Sequence, residues 1–221
     1  MSLESMIRVS SPEPYAATNV SDELAVIEEA ALTIREGSET RFDTYNATVP
    51  LRNISARYAL AKARKASKSV HSKGLKALKG LPVDRKHEVN RTFEFVSRRH
   101  PATPLMDPFA DAIHRDTKGF QGEIDNKYIG TATNRYPTEW AVGDFELPED
   151  DLRYVENEGQ TKLHAYQRIN EHANSALSSG ELEIVTFEEG DLVMASIDSF
   201  HRSPINQANE PFDRVFWRYW Y

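Results

Sequence analysis

The sequence predicts a mainly β protein, a sandwich or jelly roll, with an α-helical N-terminal part. From about residue 112 onward, short β-branched or aromatic segments alternate with turn signals, which is typical of sandwiches and jelly rolls. Before that point, stretches rich in Ala, Lys and Arg have the composition of helices. We therefore expect residues 1–105 to form a helical part packed on a jelly-roll core over 106–221, together one compact unit.

Three helices are predicted in the first half. Ser21 is a suitable cap for a helix whose apolar residues recur at helical spacing up to Ile34. A second helix is expected over residues 53–79, with Gly74 as an interruption, and a third from Asp84 to about residue 100. Residues 40–51 have the character of an extended or looped segment.

The second half is predicted to consist of short strands. The segments 128–133, 182–187, 192–197 and 215–221 are rich in β-branched or aromatic residues. Residues 163–169 alternate weakly between apolar and polar. The acidic stretch 144–160 is predicted to be a loop, so the expected strands are separated by turns and one long polar connection.

Composition restricts the kind of chemistry that this chain can perform. It has 221 residues, of which 39% are hydrophobic and 28% charged, as in soluble globular proteins. We expect a cytoplasmic protein without a membrane partner, since no apolar run approaches the roughly 18 residues of a membrane span and the start lacks a signal-peptide core. The chain has no cysteine, so a metal site would use His, Asp or Glu.

Charge is distributed unevenly along the chain. Residues 52–100 contain 14 Lys and Arg against three Asp and Glu, a local charge of +11, whereas the whole chain carries −7. Such an asymmetry indicates either an anionic partner or a basic element that docks on an acidic body.

Four residues form the most informative pattern. His114 and Asp116 are two apart, so in a strand they share one face. With a distant His201 they match the two-His-one-carboxylate site of non-haem Fe(II) oxygenases. Arg214 follows on the next predicted strand, where it suits a dicarboxylate, and Arg218 shares its face. Asp111 and Asp125 also lie near this region in sequence and leave the choice of carboxylate open.

Residues 110–221 resemble the 2-oxoglutarate/Fe(II)-dependent oxygenases of the phytanoyl-CoA-hydroxylase-like type. The resemblance rests on three segments in order: His114-Arg115-Asp116-Thr117, Gly190-Asp191-Leu192-Val193-Met194, and His201-Arg202-Ser203-Pro204-Ile205-Asn206 followed by Arg214. It implies a double-stranded β-helix, a distorted jelly roll, with Fe(II) bound by His114, Asp116 and His201. It further implies that Arg214 binds the co-substrate 2-oxoglutarate, with Arg218 as the rival, and that a small-molecule or carrier-bound substrate is hydroxylated or otherwise oxidised. The helical front has no counterpart in this resemblance.

Two other functions fit parts of the sequence. The spacings Gly190-x5-Ser196-x-Asp198-x2-His201 and His164-x-Tyr166-x4-Glu171 are those of the two cupin motifs with substitutions. They would give a metal set of His164, Glu171 and His201, or a metal-free binding protein or isomerase. The basic segment 52–100 would alternatively suit a nucleic-acid-binding or capsid-like jelly roll, although its scarcity of aromatic residues disfavours this. An aromatic C-terminal strand, if exposed at an edge, is a weak indication of a homodimer.

Overall fold

The computed structural model describes residues 5–34, 41–43, 54–81, 94–100, 112–115, 128–153, 161–204 and 209–221. Over these ranges the backbone forms ten strands and four helices. In chain order they are β1 (Met6–Ser11), β2 (Tyr15–Asn19), α1 (Ser21–Ile34), β3 (Arg41–Asp43), α2 (Ile54–Ala77), β4 (Glu94–His100), β5 (Tyr128–Thr133), β6 (Glu139–Pro148), α3 (Glu149–Arg153), α4 (Thr161–Ser179), β7 (Leu182–Val185), β8 (Asp191–Ser196), β9 (Phe200–Arg202) and β10 (Phe212–Trp220).

The strands form two antiparallel sheets. The larger sheet has the order β2-β8-β5-β10-β4-β3, and the smaller has the order β1-β6-β7, with β9 also paired to β6. Strand β6 organises the smaller sheet because its first residues pair with both β7 and β9, whereas its later residues pair with β1. The mainly β class with added helices therefore agrees with the sequence prediction.

Helices α1 and α2 cover the outer face of the larger sheet. Alternate residues of the last strand and the end of the chain, Val215, Trp217, Tyr219 and Tyr221, belong to the same buried cluster as Leu24 and Ile27 of α1 and the alanines of α2. The indole N–H of Trp217 donates to Ser67 Oγ at 2.9 Å. This side of the sheet is a helix-covered core in which the indole N–H of Trp217 has a hydrogen-bond acceptor.

Helix α4 covers the outer face of the smaller sheet. Ile169, Ala173 and Ala176 pack against Phe145 and Phe200, and Ile113 lies fully buried in the same cluster. Because neighbouring residues of a strand point to opposite faces, the residues beside Phe200 and Ile113, His201 and His114, point away from α4.

The inner faces of the two sheets meet around Trp140. This residue of β6 is fully buried and forms a cluster with Ile129 of β5 and with Val193 and Ala195 of β8. Trp220 of β10 packs against the same cluster. We call the space between these two faces the interior, and it separates the two helix-covered outer cores.

Several local predictions are confirmed and several are wrong. Helices α1 and α2 and strands β5, β7, β8 and β10 lie where the sequence placed them. Gly74, however, lies inside α2, where a Cβ atom would come 2.0 Å from the hydroxyl of Tyr221. It makes room for that ring instead of interrupting the helix. The cap of α1 is also different, because Asn19 Oδ1 accepts a hydrogen bond from the Ser21 N–H at 3.0 Å.

Three segments adopt a different secondary structure from the one expected. Residues 94–100 form β4 in place of the end of a third helix, because they pair along β10. The predicted loop 144–160 contains the second half of β6 and α3, and residues 163–169 belong to α4. The rest of the third predicted helix, residues 84–93, lies outside the described residues.

The N-terminal part is not purely helical. Strands β1, β2 and β4 pair with β6, β8 and β10, so this part of the chain supplies strands to both sheets. Strand β10 is paired on both sides, by β4 and β5, so the expected edge pairing through the C-terminal strand is wrong. In the described ranges, no helix is long and apolar enough to cross a membrane.

Candidate metal and anion site

His114 and His201 lie side by side at the inner face of the smaller sheet. Their backbones form an antiparallel bridge, with N–O distances of 2.9 Å from His114 N and 2.7 Å from His201 N. The centroids of the two imidazole rings are 4.7 Å apart. Two residues separated by 87 positions are thus held as direct cross-strand neighbours. The prediction that both bind one metal ion requires such proximity.

The position of His201 is fixed by the strands around β9. His201 is opposite Trp140 in the β6–β9 register, and Arg202 forms an ion pair with Glu139 at 2.6 Å. Ser11 Oγ accepts from the N–H of Phe200 at 3.0 Å and donates to the carbonyl of residue 141. These bonds anchor the short strand β9 at its first and last residues.

The position of His114 is fixed by Asn174 of α4. The side-chain amide of Asn174 accepts from the Ile113 N–H and donates to the Ile113 carbonyl, both at 3.1 Å. This pair of bonds imitates a neighbouring strand on the side away from β9. The side chain of Ile113 is fully buried beneath α4, so the backbone of the next residue, His114, is held from both sides.

The two imidazoles have the same tautomer. His114 Nδ1 is 3.1 Å from the carbonyl oxygen of Ala112, and His201 Nδ1 is 3.3 Å from that of Ser199. A carbonyl oxygen only accepts, so each Nδ1 carries a proton and, in the neutral ring, each lone pair is on Nε2. Metal-binding histidines characteristically donate their second ring N–H to a backbone carbonyl in this way.

The Nε2 atoms of His114 and His201 are suitable donors for a divalent metal ion. Two neighbouring imidazoles with Nε2 lone pairs are ligands that suit Fe, Zn, Ni or Cu ions. Within the described residues, no group of three or more His, Asp, Glu or Cys side chains lies close enough to hold an ion. The predicted third ligand, Asp116, lies outside the described residues, as do Asp111 and Asp125.

Arg214 is a buried cation on the opposite wall of the interior. Only 8% of the surface of Arg214 is exposed. Its Nε donates to Thr133 Oγ1 at 3.2 Å and to the Arg135 carbonyl at 3.0 Å, and its Nη2 donates to the Tyr136 carbonyl at 2.8 Å. Burial lowers the pKa of Arg214 to about 10. The guanidinium is therefore still charged at neutral pH, and its described partners are all neutral oxygens.

Arg214 and Arg218 both face the interior. In the β5–β10 register Arg218 is opposite Thr131 and Phe216 is opposite Thr133, and directly opposed residues share a face. Arg218 is less buried and lies over the ring of Trp220, with its Cζ 4.2 Å from the ring centroid. The deeper position of Arg214, held at one end of β5, favours it as the anion-binding residue.

A separate pocket lies outside the interior. It has a volume of about 290 Å³ and is lined by Glu28 of α1, by Asn134, Arg135 and Tyr136 between β5 and β6, and by Glu189 before β8. The residues of the histidine pair are not among its lining. Tyr136 adopts a left-handed backbone conformation with φ of 51°, and its N–H donates to Glu189 at 3.2 Å.

The cupin-type metal set is wrong. Both His164 and Glu171 belong to helix α4 and not to a strand. Glu171 is exposed on that helix, whereas His201 is buried in the interior beneath the smaller sheet. Glu171 and His201 therefore cannot bind the same metal ion.

The sequence did not single out two residues of this region, Trp140 and Asn174. Trp140 is the cross-strand neighbour of His201, with ring centroids 5.0 Å apart. Asn174 is one polar residue among several on α4, and its role depends on where α4 packs. Neither position carries a local signal, because both roles arise from pairing between distant segments.

No protein-family model matches the sequence, and no curated protein is similar to it in sequence. Its structural neighbours include SnoK, a non-heme alpha-ketoglutarate-dependent carbocyclase from nogalamycin biosynthesis (14% identity, TM-score 0.47, 98% of this chain and 79% of SnoK). They also include iron-bound HygX from Streptomyces hygroscopicus (13%, 0.42, 96% and 80%). A third is the Kdo hydroxylase KdoO, a non-heme Fe(II) alpha-ketoglutarate-dependent dioxygenase, in complex with cobalt(II) (12%, 0.37, 98% and 80%).

SnoK and KdoO are described as alpha-ketoglutarate-dependent enzymes, and the HygX structure contains bound iron. With TM-scores below 0.5 and identities below 15%, they assign this chain neither a family nor a substrate. The functional argument therefore rests on the site itself.

Proposed function

We propose that this protein is an Fe(II)- and 2-oxoglutarate-dependent oxygenase that hydroxylates or otherwise oxidises a small-molecule or carrier-bound substrate. In this proposal the two sheets are the walls of a double-stranded β-helix of the phytanoyl-CoA-hydroxylase-like type. His114 and His201 hold the metal through Nε2, and Asp116 is the third ligand. The bound iron supplies activation of O₂ coupled to the oxidative decarboxylation of 2-oxoglutarate.

Each described residue has a defined task in this proposal. The carbonyls of Ala112 and Ser199 keep the Nε2 atoms of the two histidines as acceptors for the metal. Arg214 binds the distal carboxylate of 2-oxoglutarate, and Thr133 together with the carbonyls of residues 135 and 136 fixes the orientation of its guanidinium. The apolar cluster around Trp140 excludes water from the space between the sheets.

The observation that carries the proposal is the buried charge of Arg214 on the wall facing a histidine pair. A charge buried without an opposite charge is costly, and desolvation is the cause of the lowered pKa of Arg214. An anionic ligand with two carboxylates offsets that cost at one end and offers metal ligands at the other. 2-Oxoglutarate has this chemistry.

The test is succinate release from 2-oxoglutarate by the purified protein with added Fe(II). We expect metal-dependent release by the wild type and loss of release in His201→Ala. The matched control is His172→Ala, which removes a histidine of α4 that contacts Asp151 and not the site; it should retain the activity. Equal release by the wild type and His201→Ala, or release that does not depend on metal, would refute the proposal.

A further inference from the structure

Trp140 occupies the position next to the histidine pair on the same wall. His114 is opposite His201 across one bridge, and His201 is opposite Trp140 in the adjacent register. Directly opposed residues of antiparallel strands share a face. The three rings therefore form one row across the inner face, with centroids 4.7 Å apart between the histidines and 5.0 Å apart between His201 and Trp140.

The indole N–H of Trp140 is buried and has no hydrogen-bond partner within the described part of the chain. The residue is fully buried. Trp217 is equally buried, yet its N–H donates to Ser67 Oγ at 2.9 Å. The indole N–H on the helix-covered side of the larger sheet therefore has an acceptor, whereas the one in the interior has none among the described residues.

An unsatisfied buried donor has a physical cost that most proteins avoid. Buried polar groups are nearly always hydrogen-bonded, and leaving one unpaired costs the desolvation free energy of that group. A phenylalanine at position 140 would supply a similar ring without that cost. A donor retained beside the histidine pair therefore indicates an acceptor that arrives with a ligand.

The surroundings define the chemistry of this acceptor. On the facing wall, Arg214 brings a buried positive charge, so the ligand that enters the interior is an oxyanion. We propose that Trp140 Nε1–H donates a hydrogen bond to a carboxylate oxygen of the 2-oxoglutarate bound beside His201. This rests on the proposed function and adds a binding residue on the histidine side of the interior.

The test uses Trp140→Phe in the Zn(II)-loaded protein, because zinc is diamagnetic and allows both calorimetry and nuclear magnetic resonance. We expect the dissociation constant for 2-oxoglutarate to rise about tenfold or more, as for the loss of a hydrogen bond to a charged acceptor. The affinity for Zn(II) alone should stay unchanged. Trp217→Phe is the matched control: it removes the same N–H on the other side of the larger sheet and should leave 2-oxoglutarate affinity unchanged.

A second readout does not depend on the variant folding like the wild type. The indole N–H signal that is missing in Trp140→Phe is followed in the wild type, and it should move downfield when 2-oxoglutarate is added to the zinc-loaded protein. Binding that leaves this signal unmoved, or equal affinity in Trp140→Phe and the wild type, overturns the role of Trp140 while the proposed function stands. Failure of the zinc-loaded wild type to bind 2-oxoglutarate overturns both.

Discussion

The guanidinium of Arg214 is held by a hydroxyl and two carbonyl oxygens, and it faces the same interior as Arg218. The sequence left these two arginines as rivals because they have the same parity in one strand. The two arginines differ in how deeply they are buried. Arg214 is 8% exposed, whereas Arg218 is only half-buried and lies over Trp220.

This difference predicts different effects of removing each charge. Arg214→Met should weaken 2-oxoglutarate binding to the metal-loaded protein at least about 30-fold, because truncating one partner of a buried charge pair costs 2 kcal/mol or more. Arg218→Met should change the affinity by less than about threefold. Calorimetry on both variants decides the matter, and the reverse order of effects would assign the anion-binding role to Arg218.

Asn174 makes a second prediction at the scale of a single residue. Asn174→Ala leaves the buried N–H and carbonyl of Ile113 without their partner. We expect metal affinity to fall by about tenfold or more, as for other residues that support metal ligands, because His114 loses its support on the side of α4.

The control for Asn174 is Ser178→Ala on the same helix. Its hydroxyl is exposed and donates to a carbonyl of its own helix, so metal affinity should be unchanged. If Asn174→Ala binds metal as tightly as Ser178→Ala does, the histidine pair does not depend on this contact.

The residues of the site differ in how far the sequence predicts them. His114, His201 and Arg214 were predicted because they are chemically distinctive and stand in a characteristic order. Trp140 and Asn174 were not, because a tryptophan in a strand or an asparagine in a helix is ordinary until its neighbours are known. Their roles depend on the β6–β9 register and on the packing of α4.

At the scale of elements, α2 shows how packing overrides local preference. Glycine usually weakens a helix interior, yet Gly74 is buried within α2 with the hydroxyl of Tyr221 where a Cβ atom would lie. The Tyr221 hydroxyl also donates to the carbonyl of His71 at 3.2 Å. The glycine is therefore required by the end of the chain that packs on the helix.

The sign of the effect of Gly74→Ala tests this explanation. Helix propensity alone would stabilise the variant by about 1 kcal/mol, but overpacking against Tyr221 should lower the free energy of unfolding by about 1 to 3 kcal/mol. In a Tyr221→Ala background the same substitution should become stabilising. Urea denaturation measures both, with Ser72→Ala on the exposed side of α2 as a control; a more stable Gly74→Ala in the wild-type background would contradict the clash.

The exposed side of α2 is strongly basic. Its buried alanines Ala59, Ala63 and Ala66 face the core, and its exposed residues include Arg57, Lys62, Arg64, Lys65, Lys68 and Lys76. This helix covers the outer face of the larger sheet, whereas Arg214 and the histidine pair face the interior. The basic face and the proposed site are thus on opposite sides of that sheet.

Charge reversal on this face should therefore leave the site intact. Lys65→Glu combined with Lys68→Glu should not change 2-oxoglutarate affinity, because both residues lie away from the interior. The same variant tests the hypothesis that the basic segment binds nucleic acid. Wild type and variant are titrated with duplex DNA at low and high salt. Salt-sensitive binding by the wild type that is lost in the variant would support a polyanion partner, and loss of 2-oxoglutarate binding would contradict the separation of the two surfaces.

The sequence predicted elements best where local pattern and packing agree. Strand β5 is rich in β-branched residues, strand β8 is a short apolar run after the turn signal at Gly190, and helices α1 and α2 have apolar residues at helical spacing. Strand β4 was predicted as helix because its partner, β10, begins more than a hundred residues later. Helix α4 was missed because residues 163–169 alternate weakly between apolar and polar, and its stability comes from covering the smaller sheet.

At the scale of the whole molecule, the inner faces of two helix-covered sheets face each other and carry different functional side chains. One wall presents the histidine pair and Trp140, and the other presents Arg214 among threonines of β5. The mainly β class was predictable from composition and turn signals. The contribution of β1, β2 and β4 to both sheets was not, because those pairings join segments far apart in the chain.

In the proposed function, these two walls bind one ligand through a metal ion and a buried positive charge. The most direct test is anaerobic calorimetry of 2-oxoglutarate binding to the wild type and to His201→Ala, with and without Fe(II). We expect binding of about one equivalent per chain that requires Fe(II) in the wild type and is lost in His201→Ala. Absence of binding in the iron-loaded wild type, or equal binding without iron, would contradict it.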